Sequence, residues 1–251
     1  MRNPLVLGGA TEGAALAKAM AEAGIPGTVS LAGRVARPRP LPLPTRVGGF
    51  GGAAGLADYI RLHGVTHVID ATHPFAARMS RNAAEACAAT GAPLLALTRA
   101  PWAAVAGDDW RAVPDIAGAV EALAGMPPAT VFLGTGRNDL EAFRPVAARH
   151  RLILRVVDDP GAAPLPGAEV IVARGPFDAD ADREMLEARG VGVVVSKNSG
   201  GTGAYAKIAA ARALGLPVVM VDRPPSPERA EVHDIGEVLR WLAHAGMERG
   251  V

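Results

Sequence analysis

Apolar runs and glycine-containing turns alternate along the chain in a strand-then-helix order. The apolar runs are rich in Val, Leu and Ile and predict buried strands, while the segments between them predict helices. The predicted strands cover residues 5–7, 28–32, 65–71, 93–97, 130–133, 152–157, 169–173, 192–195 and 218–221. The predicted helices cover residues 12–23, a segment ending near 63, and residues 75–90, 116–124, 139–149, 181–189, 204–214 and 235–245.

This alternation predicts an α/β protein with mainly parallel sheets flanked by helices. Prolines at every second position from 38 to 44 predict a stiff extended connector, and residues 102–114 break the rhythm. We therefore expect two Rossmann-like domains, residues 1–108 and 109–251, with ligands at the carboxyl ends of the strands. A single sheet of about ten strands is the less usual alternative.

Composition narrows the class of protein. Hydrophobic residues make up 49% of the chain but aromatic residues only 4%, so the core is aliphatic, as in sheets covered on both faces. A net charge of +1 argues against nucleic-acid binding. Cys87 is the single cysteine, which excludes an internal disulfide, predicts no metal site and fits the cytoplasm. No apolar run reaches about 18 residues, so we expect no membrane span.

The first strand leads into a glycine-rich turn. Gly8, Gly9 and Gly13 fit most of a dinucleotide-binding pattern, with Ala10 in place of its middle glycine. Free backbone N–H groups at such a turn can hold a pyrophosphate, although a plain structural turn is the alternative. The predicted cofactor contacts here are Gly8, Gly9, Ala10, Thr11 and Glu12. Glu12 is equally suited to be a charge that stabilises the helix terminus.

Gly33 and Arg34 follow the second strand. NAD-binding proteins usually carry a ribose-binding carboxylate at this position, whereas an arginine favours the 2′-phosphate of NADP. Both residues are therefore predicted to bind the cofactor. The alternative for Arg34 is a solvated loop arginine.

The sequence Asp70-Ala71-Thr72-His73-Pro74-Phe75 follows a third predicted strand. Residues at such strand ends line the ligand crevice, so we predict that Thr72 contacts the cofactor. His73 can donate a hydrogen bond or a proton near neutral pH and is a candidate catalytic residue. The alternative is structural: Thr72 caps the next helix and His73 braces the turn.

Two segments in the second half of the chain are suited to anions. The first is a turn whose glycines free backbone N–H groups beside an arginine fork, Gly134, Thr135, Gly136 and Arg137. The second is the polar loop 196–203, near which stand Lys197 and Lys207, two of the chain's three lysines. Its predicted ligand contacts are Asn198, Ser199, Gly200 and Gly201, with a flexible solvated loop as the alternative.

Taken together, these segments resemble the precorrin-6A reductase family of cobalamin biosynthesis. The resembling stretches are LVLGGATEGAALA, AGRVARP, VGGFGGAAGLADY, VIDATHPFAARMSRNA, VFLGTGR, ARGPF, SKNSGGTGAYAKIAAAR and LPVVMVDRP, which span nearly the whole chain. The resemblance implies a two-domain reductase that uses NADPH to reduce one double bond of precorrin-6A to give precorrin-6B. It places NADP on the N-terminal domain and the tetrapyrrole in a cleft between the domains.

The substrate that the resemblance implies carries many carboxylates. Arg37, Arg39, Arg137, Lys197 and Lys207 are suitable partners for them. For the proton that accompanies the hydride, His73 and Lys197 are the catalytic candidates, with Tyr205 and water left open. We expect no nucleic acid, membrane or metal partner, and leave open whether product is channelled to the next enzyme. The alternatives are another NADP-dependent reductase of a polyanion, a non-catalytic NADP sensor and, last, a glycosyl or phosphoryl transferase.

Overall fold

A computed structural model describes residues 2–33, 39–161, 164–165 and 167–244. The strands are β1 (Pro4–Leu7), β2 (Thr28–Leu31), β3 (Thr45–Val47), β4 (His67–Asp70), β5 (Leu94–Leu97), β6 (Trp110–Val113), β7 (Thr130–Gly134), β8 (Arg151–Val156), β9 (Glu169–Val172), β10 (Val191–Lys197), β11 (Val218–Val221) and β12 (Ala230–Val232). The helices are α1 (Thr11–Glu22), α2 (Ala53–Leu62), α3 (Ala77–Thr90), α4 (Ile116–Ala124), α5 (Ala179–Ala188), α6 (Ala206–Ala213) and α7 (Ile235–His244), with a 3₁₀ helix at Arg137–Val146.

The chain forms two compact units. The first unit contains the residues up to Ala100 together with the segment that starts at Pro225, and the second unit is Pro101–Pro224. Each contains a six-stranded sheet in which the strand pairs are parallel. The prediction of two parallel sheets flanked by helices is confirmed.

The first sheet has the order β12-β5-β4-β1-β2-β3. Its central strands β1 and β4 are completely buried, because helices cover both faces. On one face Leu16 and Met20 of α1 pack with Val238 of α7, and on the other Leu56 of α2 packs with Ala83 of α3. The strand order reverses between β1 and β4, which is where doubly wound folds bind ligands.

The second sheet has the order β6-β11-β10-β7-β8-β9 and repeats this winding, with its reversal between β7 and β10. Its core contains Phe132, Ile153 and Val194 from three neighbouring strands, packed against Leu186 of α5 and Ile208 of α6. Both units therefore have a reversal of strand order, the position at which doubly wound folds bind ligands.

The predicted domain boundaries need correction at both ends. The segment after Pro225 was predicted to belong to the second domain, but β12 extends the first sheet, with Ala230 opposite Leu95 in a parallel pair. At the other end, Trp102 joins the second unit because its backbone hydrogen-bonds to Asn198, and Asp108 forms an ion pair with Arg212. The boundary therefore falls after Ala100 rather than after residue 108.

Three strands and one helix type differ from the sequence prediction. β3 and β12 are three-residue, largely exposed edge strands, and β6 lies inside the segment that was predicted to be only a crossing. Such strands are held by their neighbours and have no apolar run of their own. The helix predicted at 139–149 is instead the 3₁₀ helix Arg137–Val146, which contains Pro145. Proline removes a backbone donor and disfavours a regular α-helix there.

Candidate functional site

A cavity of about 620 Å³ lies at the carboxyl end of the first sheet. It begins at the ends of β1, β2, β3 and β4, so it occupies the point where the strand order reverses. Its wall is formed by Leu7, Gly8, Gly9, Ser30, Ala32, Gly48, Gly49, Phe50, Gly51, Gly52, Thr72, His73, Phe75, Ala76, Arg78, Met79 and Asn82. Its size and its glycine-rich wall are those of a small-molecule or cofactor site.

The turn from β1 to α1 brings bare backbone to this cavity. Gly9 has a φ of +128°, a conformation that favours glycine. Ala10 precedes the helix and has no side chain that can cap its first N–H groups. The positive end of the helix dipole and those N–H groups form an arrangement that suits a phosphate.

Close packing behind the turn explains two of its glycines. A Cβ on Gly13 would stand 3.0 Å from the Cα of Gly8, and one on Gly8 would stand 3.1 Å from Cγ1 of Val29. The first turn of α1 thus approaches the sheet more closely than larger residues allow. Ala10 departs from the usual pattern at a position with φ −115°, which any residue can adopt, so its methyl group does not distort the backbone.

Asp70 organises the end of β4 from a buried position. Its Oδ1 accepts hydrogen bonds from the backbone N–H of Thr72 at 3.1 Å and from the Thr72 hydroxyl at 2.6 Å. Its Oδ2 accepts from the Ser80 hydroxyl at 2.7 Å and from the Arg229 guanidinium. The Arg229 side chain is only 8% exposed, so this is a buried ion pair. The alternative in which Thr72 caps the next helix is wrong, because α3 begins at Ala77.

His73 stands in the cavity wall with one ring nitrogen engaged by the backbone. The N–H of Phe75 donates to Nδ1 of His73 at 3.2 Å. Nδ1 of His73 accepts this bond, so the ring braces the turn that follows β4, as the structural alternative expected.

Arg46 holds the turn that follows β3 and was missed by the sequence analysis. Its guanidinium donates to the Ser30 hydroxyl at 2.7 Å and to the carbonyls of Gly48 and Gly49 at 3.0 and 3.1 Å. It also lies 4.0 Å above the ring of Phe50. The signal was present as an arginine two positions before Gly48-Gly49-Phe50-Gly51-Gly52, but no pattern indicated that the arginine would fold back onto its own turn.

At the corresponding edge of the second sheet, Lys207 lies across the end of β7. The aliphatic side chain of Lys207 lies directly over Gly134. A Cβ added to Gly134 would stand 2.8 Å from both Cδ and Cε of Lys207. Its Nζ donates to the carbonyl of Ala204 at 2.7 Å and lies 5.2 Å from the ring centroid of Trp102. Lys207 is 3% exposed, and the prediction that it contacts the substrate is at odds with this burial.

The loop that follows β10 is buried from Asn198 to Gly200 and exposed at Thr202 and Gly203, so only its last part is solvated. The Asn198 amide exchanges two hydrogen bonds with the backbone of Trp102, at 2.7 and 2.9 Å. Arg223 donates to the carbonyls of Asn198 and Ser199. The side chain predicted to bind substrate at Asn198 is thus used to hold the loop.

Two polar groups stand near this second edge. Lys197 forms an ion pair with Asp139 and is 15% exposed. The hydroxyl of Thr135 is buried without a hydrogen-bond partner among the described residues. Gly136 has a φ of +82°, and Arg137, which is exposed, begins the 3₁₀ helix.

Comparisons with known proteins agree with this architecture. The family model described as "Precorrin-6x reductase CbiJ/CobK" matches residues 4–243. The chain belongs to the precorrin-6x reductase family. A precorrin-6A reductase from Rhodobacter capsulatus is 53% identical over the full length of both chains, and one from Mycobacterium tuberculosis is 39% identical over 97% of this chain and 98% of its own.

A solved structure described as "CobK precorrin-6A reductase" has the same fold. It superposes with a TM-score of 0.91 at 51% identity, covering 98% of each chain. A cobalt-precorrin-6A reductase from Priestia megaterium is 33% identical over 67% of this chain and 69% of its own. The predicted family and the prediction of an oxidoreductase acting on a macrocycle double bond are confirmed.

Within this reductase family fold, the predicted site residues divide into groups. Gly8, Gly9, Thr72 and His73 are in the cavity wall, whereas Ala10, Thr11, Glu12 and Gly33 are outside it. Both carboxylate oxygens of Glu12 accept from Arg99, at 2.7 and 2.8 Å, so neither earlier interpretation of Glu12 anticipated its partner. Arg39 is exposed, and Arg34 and Arg37 lie outside the described residues.

The remaining features of the described part of the chain concern its cysteine, possible metal sites and possible membrane-spanning helices. Burial, with a smaller contribution from Asp70, raises the pKa of the Cys87 thiol to about 12, so Cys87 remains a neutral thiol at physiological pH. Across residues 2–33, 39–161, 164–165 and 167–244, no group of three or more His, Cys, Asp or Glu is arranged to hold a metal. No helix in those ranges is long and apolar enough to cross a membrane.

Proposed function

We propose that this chain reduces one double bond of the precorrin-6A macrocycle with NADPH, giving precorrin-6B in cobalamin biosynthesis. The observation that carries the proposal is the cavity at the reversal point of the first sheet, in a chain that belongs to the precorrin-6x reductase family. Relatives named precorrin-6A reductase match over 96% or more of this chain, whereas the Priestia megaterium cobalt-precorrin-6A reductase matches over 67%. We therefore propose the metal-free macrocycle as substrate.

The first unit fits a dinucleotide cofactor. When bound, NADPH supplies the hydride. The uncapped start of α1 and the glycines before it are suited to its pyrophosphate, with Gly8, Gly9, Ala10 and Thr11 as the contacts. Gly33 and Arg34 follow the second strand, where an arginine favours the 2′-phosphate over the hydroxyl of NAD. Arg34 carries this part of the proposal from its sequence position alone.

The second unit supplies candidate contacts for the substrate's carboxylates. Arg137 is exposed beside two glycines, and its guanidinium can form a bidentate pair with a carboxylate. Lys197 is partly exposed and carries a charge that is balanced by Asp139. The further proposed contacts are Arg37, Arg39, Gly134, Thr135, Gly136, Ser199, Gly200 and Gly201. We leave Asn198 and Lys207 out because the protein itself engages them.

Reduction also requires a proton at the partner atom of the double bond. His73 stands in the wall of the cofactor cavity, and an imidazole can give up or take a proton near neutral pH. Lys197 is the second candidate, as an ammonium that can donate from the other unit. We propose His73 as the donor because it lines the same cavity as the proposed cofactor contacts.

The experiment that tests this function is an anaerobic turnover assay with purified precorrin-6A. We expect the visible spectrum to shift as conjugation is shortened, and the absorbance of reduced nicotinamide to fall by one equivalent for each macrocycle. NADH in place of NADPH is the matched control and should react much more slowly. Binding of NADPH without any change in the macrocycle spectrum would favour a reductase of another polyanion or a non-catalytic sensor.

A further inference from the structure

Thr72 carries two hydrogen-bond donors at the edge of the cofactor cavity, and both are already used. Its backbone N–H and its hydroxyl proton go to the same oxygen of Asp70. The direction of the hydroxyl bond follows from charge: Asp70 is paired with Arg229, and an ionised carboxylate can only accept. The Thr72 hydroxyl must therefore be the donor in this 2.6 Å contact.

A hydroxyl has one proton and two lone pairs. Once its proton is directed to Asp70, the Thr72 oxygen can offer only lone pairs to anything else. Thr72 lies in the wall of the cavity that Gly8 and Gly9 of the glycine turn also line. Toward a ligand in that cavity it is consequently an acceptor, which suits an O–H or N–H donor and does not suit a phosphate oxygen.

Asp70 is held in place from its other side. Its Oδ2 accepts from Ser80 on α3 and from Arg229, which lies just before β12 in the segment that returns to the first sheet. Asp70 ends β4 opposite Leu7, the last residue of β1, so it stands at the reversal point of the strand order. Four donors from three parts of the chain thus fix one carboxylate beside the cavity.

We propose that Asp70 is a positioning residue that makes Thr72 a hydrogen-bond acceptor for a donor group of the bound dinucleotide. The proposal rests on NADPH binding in the first unit. The dinucleotide carries two kinds of suitable donor, the carboxamide NH₂ of the nicotinamide and the hydroxyls of its riboses. Both groups can donate a hydrogen bond to the Thr72 oxygen, and cofactor analogues distinguish between them.

The test is equilibrium binding of NADPH to the full chain, measured by calorimetry. Thr72→Val keeps the shape but removes the hydroxyl, and we expect the dissociation constant to rise about 3- to 10-fold, the range for one hydrogen bond. Thr72→Ser restores the hydroxyl and should recover most of this loss. The control is Thr66→Val at the opposite end of the same strand, where the hydroxyl binds Asn3 and His67 instead; its NADPH affinity should not change.

A double-mutant cycle tests the role of Asp70. Asp70→Asn should weaken NADPH binding to a similar degree: the one amide oxygen is needed by the Arg229 guanidinium, so the NH₂ group faces Thr72 and can no longer accept the Thr72 proton. In a Thr72→Val background the same substitution should add little, a non-additivity that a general loss of stability would not produce. If Asp70→Asn does not fold, the Thr72→Val and Thr72→Ser pair still decides whether Thr72 is an acceptor for the cofactor.

The two donor sources are separated with the 3-acetylpyridine analogue of NADPH, in which a methyl group replaces the carboxamide NH₂. If the effect of Thr72→Val disappears with the analogue, the donor is the carboxamide; if it persists, the donor is a ribose hydroxyl. Unchanged NADPH affinity in Thr72→Val overturns the inference. Failure of the wild-type chain to bind NADPH at all would instead overturn the proposed function.

Discussion

The reversal points of the two sheets share one strand winding but differ in how their polar groups are used. At the first sheet the turn after β1 offers backbone N–H groups at an uncapped helix, and a cavity of about 620 Å³ lies beside it. At the second sheet Lys207 covers the turn after β7, and Asn198 is engaged by Trp102. The comparison teaches that equal topology does not give equal sites: the first edge lines a cavity, whereas at the second edge Lys207 and Asn198 are engaged by the protein's own backbone.

The largest expected effect concerns the proton donor, for which each unit offers one candidate. His73→Gln keeps a hydrogen-bond donor but cannot transfer a proton efficiently, and we expect kcat to fall about 10²- to 10⁴-fold, the usual contribution of a general acid. Lys197→Met should instead raise KM for precorrin-6A with a smaller change in kcat. Steady-state kinetics of both variants measures this.

The reverse pattern, with kcat lost only in Lys197→Met, would move the donor to the second unit. Near-normal kcat in both variants would assign the proton to Tyr205 or water.

Among the described residues, a buried arginine–aspartate pair near the sheet is found in each unit, which allows a matched comparison of stability. Arg229 pairs with Asp70 in the first unit and Arg155 with Asp182 in the second, with arginine side chains 8% and 9% exposed. Arg229→Met and Arg155→Met each leave a buried carboxylate without its counter-charge, so each should lower the free energy of unfolding by about 3–5 kcal/mol. Urea unfolding followed by circular dichroism measures the loss.

Measurement of NADPH affinity then distinguishes the Arg229–Asp70 pair from the Arg155–Asp182 pair. Arg229→Met should also weaken NADPH binding, because Asp70 holds Thr72 at the cavity, whereas Arg155→Met should leave it unchanged. Equal loss of NADPH affinity in both variants would contradict the assignment of the cofactor to the first unit.

Arg34 tests cofactor choice in the first unit. Arg34→Ala removes the proposed partner of the 2′-phosphate, and loss of a charge-assisted hydrogen bond should raise the dissociation constant for NADPH about 10- to 100-fold. The dissociation constant for NADH should change little. Arg81→Ala, an exposed position on α3, is the matched control. Equal weakening of both cofactors in Arg34→Ala would refute the 2′-phosphate assignment.

Two helix-terminal glycines give the smallest expected effect. A Cβ on Gly55 would stand 1.8 Å from the carbonyl oxygen of Phe50, so Gly55→Ala must displace the turn that lines the cavity. We expect a loss of about 1–3 kcal/mol in the free energy of unfolding, together with weaker NADPH binding. In the second unit Gly125→Ala meets nothing closer than 3.7 Å and should change neither quantity by much. Urea unfolding and calorimetry measure both, and an unperturbed Gly55→Ala would show that this turn is free to move.

The central strands were predictable from sequence because each is an aliphatic run long enough to be buried on both faces. β3 and β12 were not, since three-residue edge strands such as Ala230–Val232 depend on pairing rather than on their own residues. For the same reason the return of the chain to the first sheet could not be predicted. It depends on pairing between β12 and β5, whose partner residues, such as Ala230 and Leu95, are 135 positions apart.

The candidate site divides in a similar way. The glycine turn and the Thr72-His73 segment were predictable because they directly follow buried strands, where ligands bind in this class of fold. Asp70 and Arg229 were not singled out, because they pair across 159 positions. Arg46 was not singled out because no pattern indicates that an arginine will bind the carbonyls of its own turn. Lys207 illustrates the opposite error: its charge suggested a ligand contact, but the missing side chain of Gly134 creates the space in which it is buried.

The position of the dinucleotide in a crystal structure of the full chain with NADP⁺ tests the central claim most directly. We predict density for the pyrophosphate at the start of α1, with the rest of the molecule extending into the cavity lined by Gly8, Gly49 and Thr72. Density at Gly134–Arg137 in the second unit, with the first cavity empty, would contradict the account.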